Sequence, residues 1–434
     1  MKYIVALDLG TSKVTGMIVR KGDDEFTVLA LEKEYISSFI KKGSVRNVGD
    51  LAPVINRILK RLENRIGGKK ILQVYVNLNG QSLRAEEHII TYSMKNEETV
   101  TQTLLDKLKL DALKAHVESG EVLDVVEPEY FINNSRESSP VGIPCSQIEC
   151  HYKLIVGKTS FKKNIEWCFD QISTIKIAGY IISPLATAAA VLSAEDKELG
   201  CALIEFGAGV TTLSVYKNNL LRYLVTIPFG GENITKDICH LNVLENYAEK
   251  LKLEIGHCFS KNDEKGKKIT LKSSEISGDV PDVEIKKLNE CIFSRENEII
   301  VNVLNQLKLS GYKDQLAAGL FIAGGASEMK GLSELIESQI SLPVKQADIL
   351  IPIDFNQDTL KKHIGYEQVL GMLWLANKNC VKFEEELNNN HINTEKEPLN
   401  GDIKENPKPK KNNIFKKIGR IGDLFGDDNS NDLE

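Results

Sequence analysis

At 434 residues, 42% hydrophobic and 27% charged, the chain has room for about three domain-sized units with sizeable cores. Its formal net charge of −6 argues against a general nucleic-acid binder, whose affinity comes from neutralising phosphates. No stretch approaches the ~18 apolar residues of a membrane-spanning helix, and the apolar run from Ile4 stops at Asp8, too short for an export signal. The eight cysteines (145, 150, 168, 201, 239, 258, 291 and 380) make no metal-ligand set, so buried, reduced thiols in a cytoplasmic protein are expected.

The first predicted element is Tyr3-Ile4-Val5-Ala6-Leu7-Asp8-Leu9, an apolar run ending at an acid and a polar turn, Gly10-Thr11-Ser12-Lys13. A second run over 14–19 follows, so the stretch reads as a β-hairpin. Such a turn offers converging N–H groups to an anion, and Asp8 could hold a hydrated Mg²⁺. A third strand is expected over 26–35. The spacing of Leu51, Val54, Ile55, Ile58, Leu59 and Leu62 predicts a helix over 47–66, with Asp50 expected to cap it. Gly67-Gly68 ends it, and a strand over 71–78 runs into the turn signal Asn79-Gly80.

From 82 to 162 the texture becomes that of a compact α+β insertion, with short strands over 88–92, 121–126 and 149–156 and a helical run over 101–119. Helical spacing returns over 160–178, followed by a strand at 180–183. Pro184 then opens a helix over 185–192 that carries four alanines, 186, 188, 189 and 190. Tight packing and a hinge both fit so many small side chains.

The opening design recurs at 199–216. A buried strand ends at Glu205, the turn Gly207-Ala208-Gly209 follows, and then a strand with Thr211 and Thr212. Asn218-Asn219 turns into a further strand over 220–227. Duplication of this kind points to a nucleotide clamp, with Asp8 and Glu205 both directed at a metal. A third glycine turn, Gly324-Gly325-Ala326-Ser327, ends a buried strand and precedes a helix over 332–340, where backbone can approach a ring or ribose. Glu249 and Lys252, at i and i+3 on a helix, could grip a ribose and a purine edge or form an ordinary solvated ion pair.

Residues 381–411 are polar and rich in Asn and Glu, and read as a flexible tether. Beyond it, Ile414, Phe415, Ile418, Ile421, Leu424 and Phe425 fall on one helical face, with Lys416, Lys417 and Arg420 toward the other. A short basic amphipathic helix fits insertion into an anionic membrane surface; a docking helix for a protein partner has the same pattern.

Three ordered glycine turns resemble the ATPase superfamily that joins actin, the heat-shock chaperones and the sugar kinases. More narrowly, nearly the whole chain resembles the FtsA family of bacterial cell division proteins. The matching motifs are Asp8-Leu9-Gly10-Thr11-Ser12-Lys13, Glu205-Phe206-Gly207-Ala208-Gly209 and Ala323-Gly324-Gly325-Ala326. Glu127-Pro128-Glu129-Tyr130, Pro140-Val141-Gly142 and Ile227-Pro228-Phe229-Gly230-Gly231 match as well. The resemblance implies an α/β, actin-like fold of two lobes. Subdomain 1A would take 1–81, 163–197 and 345–380; the FtsA-type insertion 1C, 82–162; 2A, 198–229 and 296–344; 2B, 230–295. A linker over 381–411 and a membrane-targeting helix over 412–426 would follow.

It further implies ATP and Mg²⁺ as ligands, self-polymerisation, other divisome partners and a septal site on the cytoplasmic face of the inner membrane. The C-terminal peptide of the tubulin-like protein FtsZ would bind subdomain 2B, with Lys286, Lys287 and Arg295 as its basic candidates. Two departures bear on chemistry. Glu205 stands where similar proteins carry Asp, and Gly209-Val210-Thr211-Thr212 where they carry Gly-Thr-x-Asp. No residue is identified to position an attacking water, so binding with weak or absent hydrolysis is the expectation. A pilus-assembly scaffold resembling PilM and an actin-fold phosphotransferase are the competing readings.

Overall fold

The computed structural model describes residues 1–22, 26–67, 69–259, 266–270, 282–355 and 365–383. The chain divides into two units, Met1–Leu387 and Asn388–Glu434, and every described residue belongs to the first. The amphipathic helix expected over 412–426 therefore lies outside the described residues, as does the tether beyond 383.

The first lobe opens with β1 (Lys2–Leu9), β2 (Lys13–Lys21) and β3 (Phe26–Tyr35), then a small hairpin of β4 (Ile40–Lys41) and β5 (Ser44–Val45). Helix α1 (Val48–Arg65), β6 (Lys69–Ile71) and β7 (Gln73–Leu78) follow. Leu9 pairs with Val14 across the first hairpin, whose turn is closed by the Gly10 N–H donating to the Lys13 carbonyl at 3.0 Å. Ile4, Val5, Ala6 and Leu7 are fully buried because β1 runs between antiparallel β2 and parallel β7. Helix α1 lays its six predicted apolar residues on this sheet, worth roughly 2 kcal/mol each on burial. Its cap is Asn47 rather than Asp50: the Asn47 side chain accepts from the Asp50 N–H, and its amide donates back to the Asp50 carboxylate.

The insertion comprises β8 (Arg84–Thr99), α2 (Gln102–Leu113), β9 (Glu121–Val125), β10 (Glu129–Ile132), β11 (Ser135–Glu137) and β12 (Pro144–Gly157). Strands β8 and β12 are far longer than the predicted 88–92 and 149–156. They pair continuously from Arg84↔Val156 to Ser93↔Gln147, where the register shifts, and the charged side chains on the uncovered face hid this continuity. The β10–β11 hairpin was not foreseen. Asn133-Asn134, both at positive φ (49° and 67°), make the same two-residue turn as Asn218-Asn219 (54° and 59°).

The chain returns to the first lobe through α3 (Ser160–Ile172), β13 (Lys176–Ile182) and α4 (Ser183–Val191). The helix predicted to reach 178 ends at Ile172 instead, because Ser173 takes a left-handed conformation and reverses the chain into β13. After α5 (Ala194–Leu199) the second lobe is built from β14 (Cys201–Phe206), β15 (Thr211–Lys217), β16 (Leu220–Ile227), α6 (Gly231–Cys239) and α7 (Glu245–Glu254). It continues with β17 (Lys268–Ile269), β18 (Val283–Glu284), α8 (Ile285–Leu309), β19 (Gly319–Ala323), α9 (Leu332–Glu337) and β20 (Val344–Gln346). Strand β21 (Asp354–Phe355), α10 (Glu367–Leu375) and β22 (Val381–Phe383) lead back to the first lobe. Strand β22 pairs with β6 and buries Val381, so the polar segment begins later than the predicted 381.

One sheet has the order β13-β7-β1-β2-β3-β21. The other runs β11-β10-β12-β8-β16-β15-β14-β19-β20, with β9 beside β12. The insertion joins this second sheet at a single step, Val225↔Arg84, beside which the Thr226 N–H donates to the Leu83 carbonyl at 3.0 Å. Arg222 reinforces the join with paired hydrogen bonds to Glu129 at 2.7 and 3.0 Å. Three apolar cores result: one centred on the first lobe that also takes in Leu203 and Phe321 of the second sheet, one in the second lobe and one inside the insertion.

Candidate functional site

The two hairpin turns have one geometry. Gly10 and Gly207 each donate an N–H to the carbonyl three residues on, Lys13 at 3.0 Å and Val210 at 2.9 Å. A Cβ on either glycine would meet that oxygen at 2.9 Å. Asp8 pairs with Thr15 and Glu205 with Thr212, the same offset in both copies. The turns also touch, since a Cβ at Gly209 would lie 2.5 Å from Thr11 Oγ1. Gly324, at φ +87°, lets the third turn pass so close to Phe206 that a side chain there would strike its carbonyl at 2.7 Å.

These turns line one cleft of about 450 Å³ together with Glu249, Lys252 and Ala326. Asp8, Gly10, Thr11, Ser12, Lys13, Glu205, Gly207, Ala208, Gly209, Gly324 and Gly325 complete the set drawn from the sequence. A volume of this size suits a ligand as large as a nucleotide.

Glu249 and Lys252 are not an ordinary solvated pair. Lys252 is only 6% exposed. Its ammonium donates to Glu249 Oε2 at 2.6 Å, Thr235 Oγ1 at 2.8 Å and the Gly231 carbonyl at 3.1 Å. Helices α6 and α7 are thereby stitched together at the cleft wall.

Among the cleft residues that escaped the sequence reading, four carry its polar floor: Asn77, Glu296, Glu367 and Gln368. Asn77 donates to Asp8 Oδ1 at 3.1 Å and to Ser183 Oγ at 3.2 Å, and accepts from the Leu9 N–H at 2.7 Å. Gln368 donates to the same Asp8 oxygen at 2.5 Å. Both amides therefore hold the Asp8 carboxylate in place. The only hint was position, with Asn77 a polar residue ending a buried strand and Glu367-Gln368 opening an apolar run.

Burial dominates the electrostatics of the cleft floor. It raises the Asp8 carboxyl to about 6 against the pull of Lys13 and the Gln368 hydrogen bond. Glu205 is pushed up to about 7 by burial, with Glu367 and Asp8 adding repulsion and a Thr187 hydrogen bond opposing. Glu367 is likewise raised to about 7 by burial. Glu205 Oε2 and Glu367 Oε1 are buried without a hydrogen-bond partner. Among the described residues no three His, Cys, Asp or Glu side chains are arranged to ligate a metal ion together.

The basic candidates on α8 stand away from this cleft, and each has a partner. Lys286 lies 3.7 Å from Glu290, and Lys287 lies 3.4 Å from Glu284. Arg295 forks onto Asp237 at 2.5 and 3.2 Å, and its guanidinium stacks 5.8 Å from the Phe229 ring. An acidic peptide would have to displace these carboxylates.

Comparison with known proteins gives a consistent picture. The family described as cell division protein FtsA matches residues 202–363. A Neisseria meningitidis protein named cell division protein FtsA is 30% identical, over 79% of this chain and 83% of its own. The protein of that name from Porphyromonas gingivalis is 29% identical, over 87% of this chain and 79% of its own. Among solved structures, a PilM-PilN type IV pilus biogenesis complex superposes with a TM-score of 0.58, covering 86% of this chain and 97% of that one. At 13% identity that likeness extends to the actin-like fold and no further.

Proposed function

The chain belongs to the FtsA family of cell division proteins, and from that membership we propose an ATP-binding scaffold that tethers FtsZ filaments to the cytoplasmic membrane at the septum. The observation that carries the nucleotide part is the meeting of two equivalent glycine turns, each preceded by an acid, across one cleft. Converging N–H groups of the turns would receive phosphates, and Lys13 would add positive charge. Glu249, Lys252 and the Gly324-Gly325-Ala326 turn would hold the nucleoside.

Mg²⁺ fits the residues present. Asp8 and Glu205 would hold it through water, and the unpartnered Glu205 Oε2 is a buried acceptor waiting for positive charge. When bound, the ion would neutralise the phosphates and let these carboxyls ionise. Asn77 and Gln368 orient Asp8 for that task. In this reading the nucleotide acts as an assembly ligand, in keeping with the altered second turn at Gly209-Val210-Thr211-Thr212.

The remainder of the proposal rests on sequence and family. The basic amphipathic stretch from Ile414 to Phe425 would bind the anionic membrane surface weakly, and polymerisation would strengthen attachment through avidity. Lys286, Lys287 and Arg295 would meet the acidic FtsZ peptide. The subdomain boundaries proposed are those given above. A pilus-assembly role draws only on fold likeness, whereas relatives near 30% identity carry the division name.

Two measurements test the proposal. Titration of ATP with Mg²⁺ should show saturable binding that Asp8→Asn weakens, and absence of binding by the wild type overturns the clamp. Liposome co-sedimentation should be lost on deleting residues 413–434, and undiminished binding overturns the tether.

A further inference from the structure

The nucleoside half of the cleft contains an acceptor that the protein leaves unanswered. Glu296 projects from the middle of α8, is 1% exposed, and lines the cleft with Lys252, Gly231 and Ile234. Its Oε2 is buried and has no hydrogen-bond partner. The charge of Lys252 pulls against the burial of this carboxyl. An ammonium has three N–H donors, and those of Lys252 face three acceptors already: Glu249 Oε2, Thr235 Oγ1 and the Gly231 carbonyl. Lys252 can serve Glu296 only by abandoning one of them. A buried acceptor left without a donor is costly, and a ligand that brings a donor relieves the cost.

We propose that Glu296 is a specificity-determining residue that accepts a hydrogen bond from the nucleoside half of the nucleotide in this cleft. The inference rests on the nucleotide reading above. The donor it recognises is an N–H or O–H of the nucleoside, carried by either the ribose hydroxyls or an exocyclic amine of the base. Glu249 and Lys252 wall the nucleoside half from α7, whereas Glu296 adds a requirement from α8 that a nucleoside lacking the donor fails. A site built around a buried acceptor discriminates strongly in this way, because the wrong ligand leaves it unpaired.

The test uses the full-length chain with ATP, 2′-deoxy-ATP, 3′-deoxy-ATP and the triphosphate of purine riboside, which lacks the exocyclic amine. Affinities are measured by calorimetry for the wild type, Glu296→Met and Glu296→Gln, with thermal unfolding to confirm that each variant folds. Glu296→Met should weaken ATP about tenfold or more, and Glu296→Gln, which keeps a neutral acceptor, should lose less. One analogue should show the same loss on the wild type and no additional loss on Glu296→Met; its identity names the donor. Unchanged affinity ratios across all four nucleotides in either variant overturn the inference alone. A wild type that binds none of them overturns the nucleotide reading and this inference with it.

Discussion

Four carboxyls face one cleft, and burial raises each of them: Asp8 to about 6, Glu205 and Glu367 to about 7, Glu296 to about 8. An acid with a raised folded value binds more protons folded than unfolded across the interval above its ordinary value. Its favourable contribution is thus complete below about pH 4 and is lost as pH rises through the folded value. The ligand-free protein should therefore melt at lower temperature at pH 8.5 than at pH 5. Glu296 is the separable case, facing Lys252 on α7 and the thiol of Cys258. Glu296→Gln should recover on the order of 3 kcal/mol at pH 8.5 and nothing at pH 5, read as several degrees in thermal melts. The thiols make an independent prediction. Only Cys239 and Cys291 are partly exposed, so these two should react with a thiol reagent before the other six in the native state, and slowly, because burial raises both thiols. Asp8 and Glu205 were legible in the sequence because the chain writes the same strand, acid and turn twice. Asn77, Gln368, Glu367 and Glu296 were not, since each is a polar residue among apolar neighbours whose role depends on what the other lobe or helix brings opposite it.

At the scale of elements, the alanine-rich helix α4 meets α10 at a contact that only glycine permits. A Cβ on Gly371 would fall 1.8 Å from the Ala186 carbonyl. Gly371→Ala must separate the helices and should cost about 3 kcal/mol in denaturant unfolding, whereas a change at exposed Gln102 should cost nothing measurable. Helices with a regular apolar face, α1 above all, were legible from spacing alone. The long strands of the insertion were not, because one face is polar and the alternation fades into charge. The Asn133-Asn134 turn carried the same signature as Asn218-Asn219, but without apolar strands of comparable strength on both sides. Arg222 and Glu129 lie too far apart in sequence for any pattern to pair them. Arg222→Ala leaves the Glu129 carboxylate with Arg136 as its partner and should cost about 1 kcal/mol, with faster hydrogen exchange in β10 and β16.

For the whole molecule, a nucleotide that touches both lobes binds only the folded state. At a hundredfold excess over its Kd it should add about 2.7 kcal/mol of stability, visible as an ATP-dependent rise in melting temperature that Asp8→Asn reduces. The bilobed duplication was readable because it repeats in sequence. The way the insertion is mounted was not. Its sheet is spliced to that of the second lobe by one step of backbone pairing, Val225↔Arg84, with the Arg222–Glu129 fork alongside. Strand β16 continues from that splice into β15, whose first residues follow directly on the Gly207-Ala208-Gly209 turn. The splice and the turn that would cradle phosphate are therefore joined through a single strand pair, β15 and β16. With so little backbone pairing, the join should be the first seam of this sheet to open, read as faster hydrogen exchange at Arg84 and Val225 than in β14 and β15.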